Sequence, residues 1–396
     1  MPAQHYKNMN YNIAYLSSDD QNQSIKSRSE QILKEFLGGD SYAWNQEEGP
    51  LLFIGSGGSE QNAVRLTKGF TNITLLCHRE SNSYAATIEI AAYLREQGKR
   101  ASIIDVFAPQ ALEEFEMLQM VNQALESLSK QKAALIGEVS DWLIISDVEN
   151  QLVKKKLGIE LQRLPWSLIG EHHHKKVSED FLLHFRDFEQ ESLLETAKVY
   201  QLLEDVIKKN NLTAISVECF SMVMKDQVTA CLPLAVLNAQ NIVAACEGDI
   251  CSMLGKMLIR AISGHIPWQA NVADIKEDTV LLAHCTAPLS SLKSFDVTTH
   301  FETGVGTAIK GEFEKEKVGV FRVNSKLDKY TLIEGDIIDT PSHGFACRTQ
   351  IELSTTPEQS DLLKNKSLGN HQLIFPIKYA PLVERMMLVL EMERVS

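Results

Sequence analysis

Short apolar runs alternate with amphipathic helical segments over the first two thirds of the chain, and this alternation limits the fold more than any other feature. Asn12 to Leu16, Leu51 to Ile54, Ile73 to Cys77, Ser102 to Ile104, Ala133 to Ile136 and Trp142 to Ile145 read as strands. Between them, Ile25 to Leu37, a segment from near Ser59, Tyr84 to Gln97 and a long stretch within Pro109 to Lys130 read as helices. Strands joined by helical crossovers pair in parallel and bury both faces. A second series follows: helix from Ser192 to Lys209, strands Ala214 to Val217 and Ile242 to Ala245, helix Ile250 to Ile262, strand Val280 to Ala283. After Ser290 the texture changes to β-branched and aromatic runs, Val318 to Val323, Tyr330 to Ile333, Arg348 to Leu353 and Gln372 to Phe375, punctuated by glycines, with a last helix at Ala380 to Leu390. That is antiparallel patterning. The expectation is an α/β protein: two Rossmann-like parallel-sheet domains, residues 1–165 and 166–290, then a C-terminal antiparallel β-rich, barrel-like domain, residues 291–396. The first strand–helix pair packs with either α/β domain.

Charge narrows the partner. The 396 residues carry 39 Lys and Arg against 52 Asp and Glu, a net charge of −13, without a dense basic run. Nucleic acid and anionic membranes need a basic surface, so a small-molecule partner is expected. Seven cysteines, an odd number without a CxxC pair, in a chain with no secretory leader, read as free thiols of a cytoplasmic protein. Gln227 to Cys246 is uncharged and about as long as a membrane-spanning helix. Pro233, Asn238, Gln240 and Asn241 divide it into a short helix, a turn and a buried strand instead.

Two places hold polar groups where chemistry is possible. Gly55, Ser56, Gly57, Gly58, Ser59 and Glu60 follow a strand and open a helix, as in a dinucleotide fingerprint, but Glu60 stands where the third glycine is needed and would repel a pyrophosphate. The turn is either a simple βα connection or a polar rim for a sugar. Further on, Glu218 follows one predicted strand, Glu247 and Asp249 follow the next, and His284 follows a third. Ligands collect at the carboxyl ends of parallel strands, so these groups can converge as a divalent-metal site with hard oxygen donors and an imidazole. Asp249 also fits a helix N-cap, Glu247 a solvated loop acid and His284 a core histidine. His172, His173 and His174 read as a solvated basic loop.

The run Ala244, Ala245, Cys246, Glu247, Gly248, Asp249, Ile250, placed after Glu218 and before Leu282, Ala283, His284, Cys285, Thr286, Ala287, Pro288, resembles the L-fucose and L-arabinose isomerase superfamily, especially its shorter members. Gly57 to Glu60, Ser81 to Ser83, Ala134 to Glu138, Phe301 to Gly306 and Gly369 to Leu373 fit the same resemblance in the same order. It implies a cytoplasmic homo-oligomer that interconverts aldose and ketose through an ene-diol, with Mn²⁺ held by Glu218, Asp249 and His371. Mg²⁺, Co²⁺, Fe²⁺ and Zn²⁺ are alternatives. Glu247 competes with Asp249, and His284 resembles an additional ligand of the arabinose branch. Glu218 and Asp249 would also move protons. Ser59, Glu60, Asn82, Ser83 and His300 are the expected sugar-binding groups, the first four in a neighbouring subunit's cleft. The substrate would be a deoxy-, pento- or modified hexose. Two other readings stand: a non-catalytic carbohydrate sensor on the same scaffold, and a nicotinamide-dependent oxidoreductase.

Overall fold

The computed structural model describes residues 10–18, 23–39, 41–45 and 47–396. The chain divides into two compact units, Met1–Asn122 and Gln123–Ser396.

The first unit contains β1 (Tyr11–Leu16), α1 (Gln23–Leu37), β2 (Tyr42–Asn45), β3 (Leu51–Ile54), α2 (Glu60–Leu66), β4 (Asn72–Cys77), α3 (Ser83–Glu96) and β5 (Arg100–Asp105); α4 (Ala111–Ser129) carries the chain across the division. Among the described residues its strands are all parallel, in the order β2-β1-β3-β4-β5. Leu51 to Ile54 is buried throughout, as a strand covered by helices on both faces must be. The order reverses between β1 and β3, which opens a crevice beyond their carboxyl ends.

The second unit begins with β6 (Lys132–Ile136), α5 (Asn150–Leu157), β7 (Glu160–Leu164), α6 (Trp166–Ile169), α7 (Glu179–Leu183), α8 (Leu194–Asn210), β8 (Ala214–Val217), α9 (Phe220–Asp226), α10 (Cys231–Ala239), β9 (Val243–Cys246) and α11 (Ile250–Ser263). A parallel sheet runs β7-β6-β8-β9, with its switch point between β6 and β8. The chain continues through β10 (Trp268–Ile275), β11 (Thr279–His284), β12 (Ser294–Thr298), β13 (Ala308–Glu312), β14 (Lys317–Val323), β15 (Lys329–Asp339), β16 (Thr349–Ser354), α12 (Pro357–Asn365), β17 (His371–Pro376), α13 (Ala380–Val389) and β18 (Glu393–Arg394). Strands β14-β17-β10-β11-β16-β15 pair in sequence and β15 returns to β14, closing a six-stranded antiparallel barrel with β18 parallel on β15. Strands β12 and β13 form a separate hairpin.

The fold is therefore mixed α/β with two parallel sheets and a C-terminal barrel. Two strands fall elsewhere than expected. Val280 to Ala283 lies in β11, which pairs antiparallel with β10 and β16 in the barrel, not with the parallel sheet. Trp142 to Ile145 is a loop, with Ile144 93% exposed; an apolar run without a sheet edge to join stays irregular. The uncharged stretch forms α10, a turn and β9. All seven cysteines are free and buried. Among the described residues, no helix is long and apolar enough to cross a membrane.

One hydrophobic core runs from α8, α10 and the β6-β8-β9 sheet into Ala283, Cys285, Ile309 and Cys347, so the α/β layer and the barrel are packed as one body. The carboxyl ends of β8 and β9 thereby come to face the barrel strands that carry histidines.

Candidate metal centre

Strand β9 ends at Cys246, and the chain reverses through two left-handed residues, Glu247 at φ 64° and Gly248 at φ 69°. A Cβ on Gly248 would lie 2.2 Å from the Glu138 carbonyl oxygen, so only glycine fits. The non-glycine Glu247 in this region is a strained conformation, stabilised by the turn around it: its carbonyl accepts from the Ser140 amide at 3.1 Å. The turn aims the Glu247 side chain back at the barrel. There Oε1 lies 3.4 Å from His284 Nε2 and 3.5 Å from His371 Nε2, while Trp142 Nε1 donates to Oε2 at 2.5 Å. His284 ends β11 and His371 opens β17; both strands flank β10.

All three side chains are buried, and their ligand atoms lie within 4.8 Å of one another. Among the described residues, both Nε2 atoms are without a hydrogen-bond partner. Their outer nitrogens are engaged instead: His284 Nδ1 with Thr286 Oγ1 at 2.9 Å, His371 Nδ1 with Asp249 Oδ2 at 2.8 Å. A carboxylate only accepts, so Nδ1 of His371 donates to Asp249, and Nε2 faces Glu247 as the position that a second proton or a cation can take. Imidazoles anchored this way beside a carboxylate, with two unsatisfied buried nitrogens, fit a divalent cation.

Asp249 stands behind His371 rather than beside Glu247. It is fully buried and N-caps α11. Its Oδ1 accepts from the Ser252 amide at 2.8 Å; Oδ2 accepts from Ser252 Oγ at 2.8 Å, from Arg322 at 3.2 Å and from His371. Both oxygens already accept hydrogen bonds, so the carboxylate expected as a ligand and proton carrier stands apart from the three-residue cluster in this structure. Arg322 is itself buried and donates further to the His371 carbonyl, Ser146 Oγ and the Leu368 carbonyl. Gln269 Nε2 lies 3.2 Å from His371 Nδ1.

Charge in this pocket is balanced tightly. Burial raises the Asp249 carboxyl, but Arg322, His371 and the Ser252 amide outweigh it and hold the group below its usual range. Burial likewise opposes ionisation of Glu247, and the two histidines reverse the effect. His371 is pushed down by burial, yet Glu247 and Asp249 raise it to about 9. His284 is lowered, mainly by burial, and is neutral at pH 7.

Glu218 follows Val217, the register partner of Cys246, so Glu218 and Glu247 leave the same sheet edge on adjacent strands. Its carboxylate is outside the three-residue cluster. It accepts from the Ser221 amide at 2.9 Å, Ser221 Oγ at 2.5 Å and Trp166 Nε1 at 3.1 Å, and it is half-buried. His300 is buried with Nε2 3.0 Å from Glu302, and its ring meets Phe220, which in turn packs on Trp142.

In the first unit, Ser59 and Ser83 are buried and their hydroxyls are used inside the fold, on the carbonyls of Ser56 and Ile54. Of the four residues expected to meet a sugar there, Glu60 and Asn82 alone line the open groove of about 640 Å³ at the switch point, with Ser18, Ser56 and Gly57.

Sequence reasoning missed Arg322, Trp142 and Gln269. Arg322 had a signal: it is a lone charge inside the apolar run Val318 to Val323. Trp142 was hidden in a run that mimics a strand.

No family profile matches the chain. It is 23% identical over 210 residues, 50% of its length and 46% of the other protein, to a sulfoquinovose isomerase of Clostridium sp. (strain MSTE9). Over 167 residues, 40% of its length and 38% of the other, it is 24% identical to a sulfoquinovose isomerase of Alkalicoccus urumqiensis. The match thus spans less than half the length of each of these curated relatives. The motif order that resembles the fucose and arabinose isomerase-like group and these two likenesses to sugar isomerases agree.

Proposed function

We propose that the chain is a metal-dependent aldose–ketose isomerase, with a divalent cation, Mn²⁺ first, held by Glu247, His284 and His371. The observation that carries this reading is the pair of buried, unpartnered Nε2 atoms facing one carboxylate. When bound, the cation would act as a Lewis acid on the adjacent sugar oxygens and so ease loss of the C–H proton.

The chain's own residues do the rest. Asp249, fixed by Arg322 and Ser252, keeps the proton on His371 Nδ1 and orients the ring. Glu218, on the neighbouring strand end, is a further carboxylate at this edge, and we assign it the proton transfer between C1 and C2. Trp142 and Phe220 wall the site against water, and His300, oriented by Glu302, faces the sugar hydroxyls. Sulfoquinovose heads the substrate panel because of the relatives' names, followed by deoxy- and pentose sugars. The second unit holds the entire cluster, and the proposal includes a homo-oligomer in which Glu60 and Asn82 of the first unit line a neighbouring subunit's cleft.

The test is an isomerisation assay on that panel. Activity on at least one sugar should vanish in EDTA, return with Mn²⁺, and fall about a hundred- to a thousandfold in Glu247→Gln, the range that removing one electrostatic group costs a catalyst. A metal-replete protein that converts none of them, yet shows a sugar-induced thermal shift unaffected by EDTA, would point to the sensor reading instead.

A further inference from the structure

His172, His173 and His174, expected to form a solvated loop, make a 3-10 turn whose first residue is buried. The imidazoles of His172 and His173 lie side by side between two carboxylates, centroids 3.9 Å apart and planes inclined at 42°. On one side His172 Nε2 and His173 Nδ1 converge on the same oxygen, Glu195 Oε2, at 3.5 and 3.4 Å. On the other, His173 Nε2 meets Asp226 Oδ1 at 3.3 Å and His172 Nδ1 lies 3.9 Å from Oδ2. His172 Nε2 is buried without a hydrogen-bond partner among the described residues, and it points into this convergence.

We propose a second transition-metal site here, of zinc class, with His172 Nε2, His173 Nδ1 and Glu195 Oε2 as ligands and a fourth position for water. The three atoms lie within 4.8 Å of one another. Tetrahedral ligands about 2.0–2.1 Å from Zn²⁺ are separated by about 3.3 Å, close to the two distances to Glu195. Two imidazoles and one carboxylate suit Zn²⁺ better than Mg²⁺ or Ca²⁺, which prefer all-oxygen shells. Asp226 supplies the outer support: its hydrogen bond to His173 Nε2 fixes that tautomer so that Nδ1 presents its lone pair, and its second oxygen stands 3.9 Å behind His172 Nδ1. Lys198 pairs with Glu195 Oε1 at 2.7 Å and leaves Oε2 to the cation. The ion would staple the loop after α6 to the first turn of α8 and the last residue of α9, and so stabilise the segment that begins at Glu218.

The site is independent of the isomerase reading, and one experiment separates them. The full chain is stripped with EDTA, loaded with Zn²⁺, desalted and analysed for bound metal, with Co²⁺ loading as the optical probe of four-coordination. Wild type should retain two ions. His173→Gln and Glu195→Gln, both at the surface and checked by circular dichroism, should each retain one, lose the four-coordinate Co²⁺ absorption of this site and keep isomerase activity. Glu247→Gln should also retain one, with that absorption intact. Asp226→Asn should weaken Zn²⁺ at this site about 10–100-fold. Unchanged stoichiometry in His173→Gln and Glu195→Gln, or complete loss of metal in Glu247→Gln, overturns the proposal. One ion that survives Glu247→Gln but not His173→Gln supports it and removes the metal from the isomerase reading.

Discussion

Glu247, His284 and His371 come from a parallel-sheet edge and two barrel strands far apart in the chain, and all are buried; His172, His173 and Glu195 come from one 3-10 turn and the start of α8, about twenty residues on, and two of the three are exposed. Both clusters pair two imidazoles with one carboxylate, and in both an aspartate, Asp249 or Asp226, stands behind a ring. They differ in what holds that aspartate. Asp249 is locked by the buried Arg322 and a helix N-terminus, whereas Asp226 ends the short helix α9 near solvent. A buried, pre-organised cluster is suited to polarising a substrate, because charges interact strongly where water is excluded. A solvated one is suited to holding a loop in place.

Arg322→Met should break the contrast most severely. It strands the buried Asp249 charge, and loss of about 3–5 kcal/mol in denaturant unfolding is expected; a loss under about 1 kcal/mol would mean Arg322 is not what fixes Asp249. Gly248→Ala places a side chain at φ 69° against the Glu138 carbonyl and should cost more than about 1–2 kcal/mol, with loss of metal from the buried cluster alone. Asp249→Asn keeps the shape but weakens support of His371, so Mn²⁺ affinity should drop about 10–100-fold, read by calorimetric titration.

The pH response sharpens the comparison next. The folded-state pKa of His371 is raised from 6.5 to about 9, so its contribution to metal-free stability is fully present below pH 6.5 and is lost as pH rises to about 9. Metal at Nε2 displaces that proton, so affinity should fall about tenfold per pH unit below about pH 9. In EDTA the melting temperature should therefore decline from pH 6.5 to 9, and with Mn²⁺ the trend should reverse. His172, held below its ordinary value by burial and by His173, gives the exposed cluster a flatter dependence over that window. An equally steep one would remove the distinction. The smallest effect is expected from Lys198→Ala, which frees Glu195 of an exposed ion pair: stability within about 0.5 kcal/mol of wild type and a few-fold tighter Zn²⁺ at His172 and His173.

Much of the architecture was legible because it is local. Strand and helix periodicity, the change of texture after Ser290, and acids placed directly after apolar strands are written in neighbouring residues. The sheet that claims a strand is not: Val280 to Ala283 reads equally well as parallel or barrel strand, and it joined the barrel because β10 and β16 were there to pair with it. Trp142 to Ile145 has strand composition but no partner edge, and it became the loop from which Trp142 holds Glu247.

The candidate site divides along the same line. Sequence alone determined that Glu218, Glu247, Asp249, His284 and His371 stand at the ends of strands in an α/β chain, and their order carried the resemblance to sugar isomerases. Tertiary structure decided which acid meets the imidazoles. Glu247 and Asp249 are two residues apart, but the left-handed turn between them sends one side chain out toward the histidines and the other back under a helix N-terminus. It also brought His172 and His173 to face Glu195 across a helix start. Spacing along the chain says which groups are near a strand end; the direction each side chain takes is set by backbone turns and packing partners that lie far away in sequence.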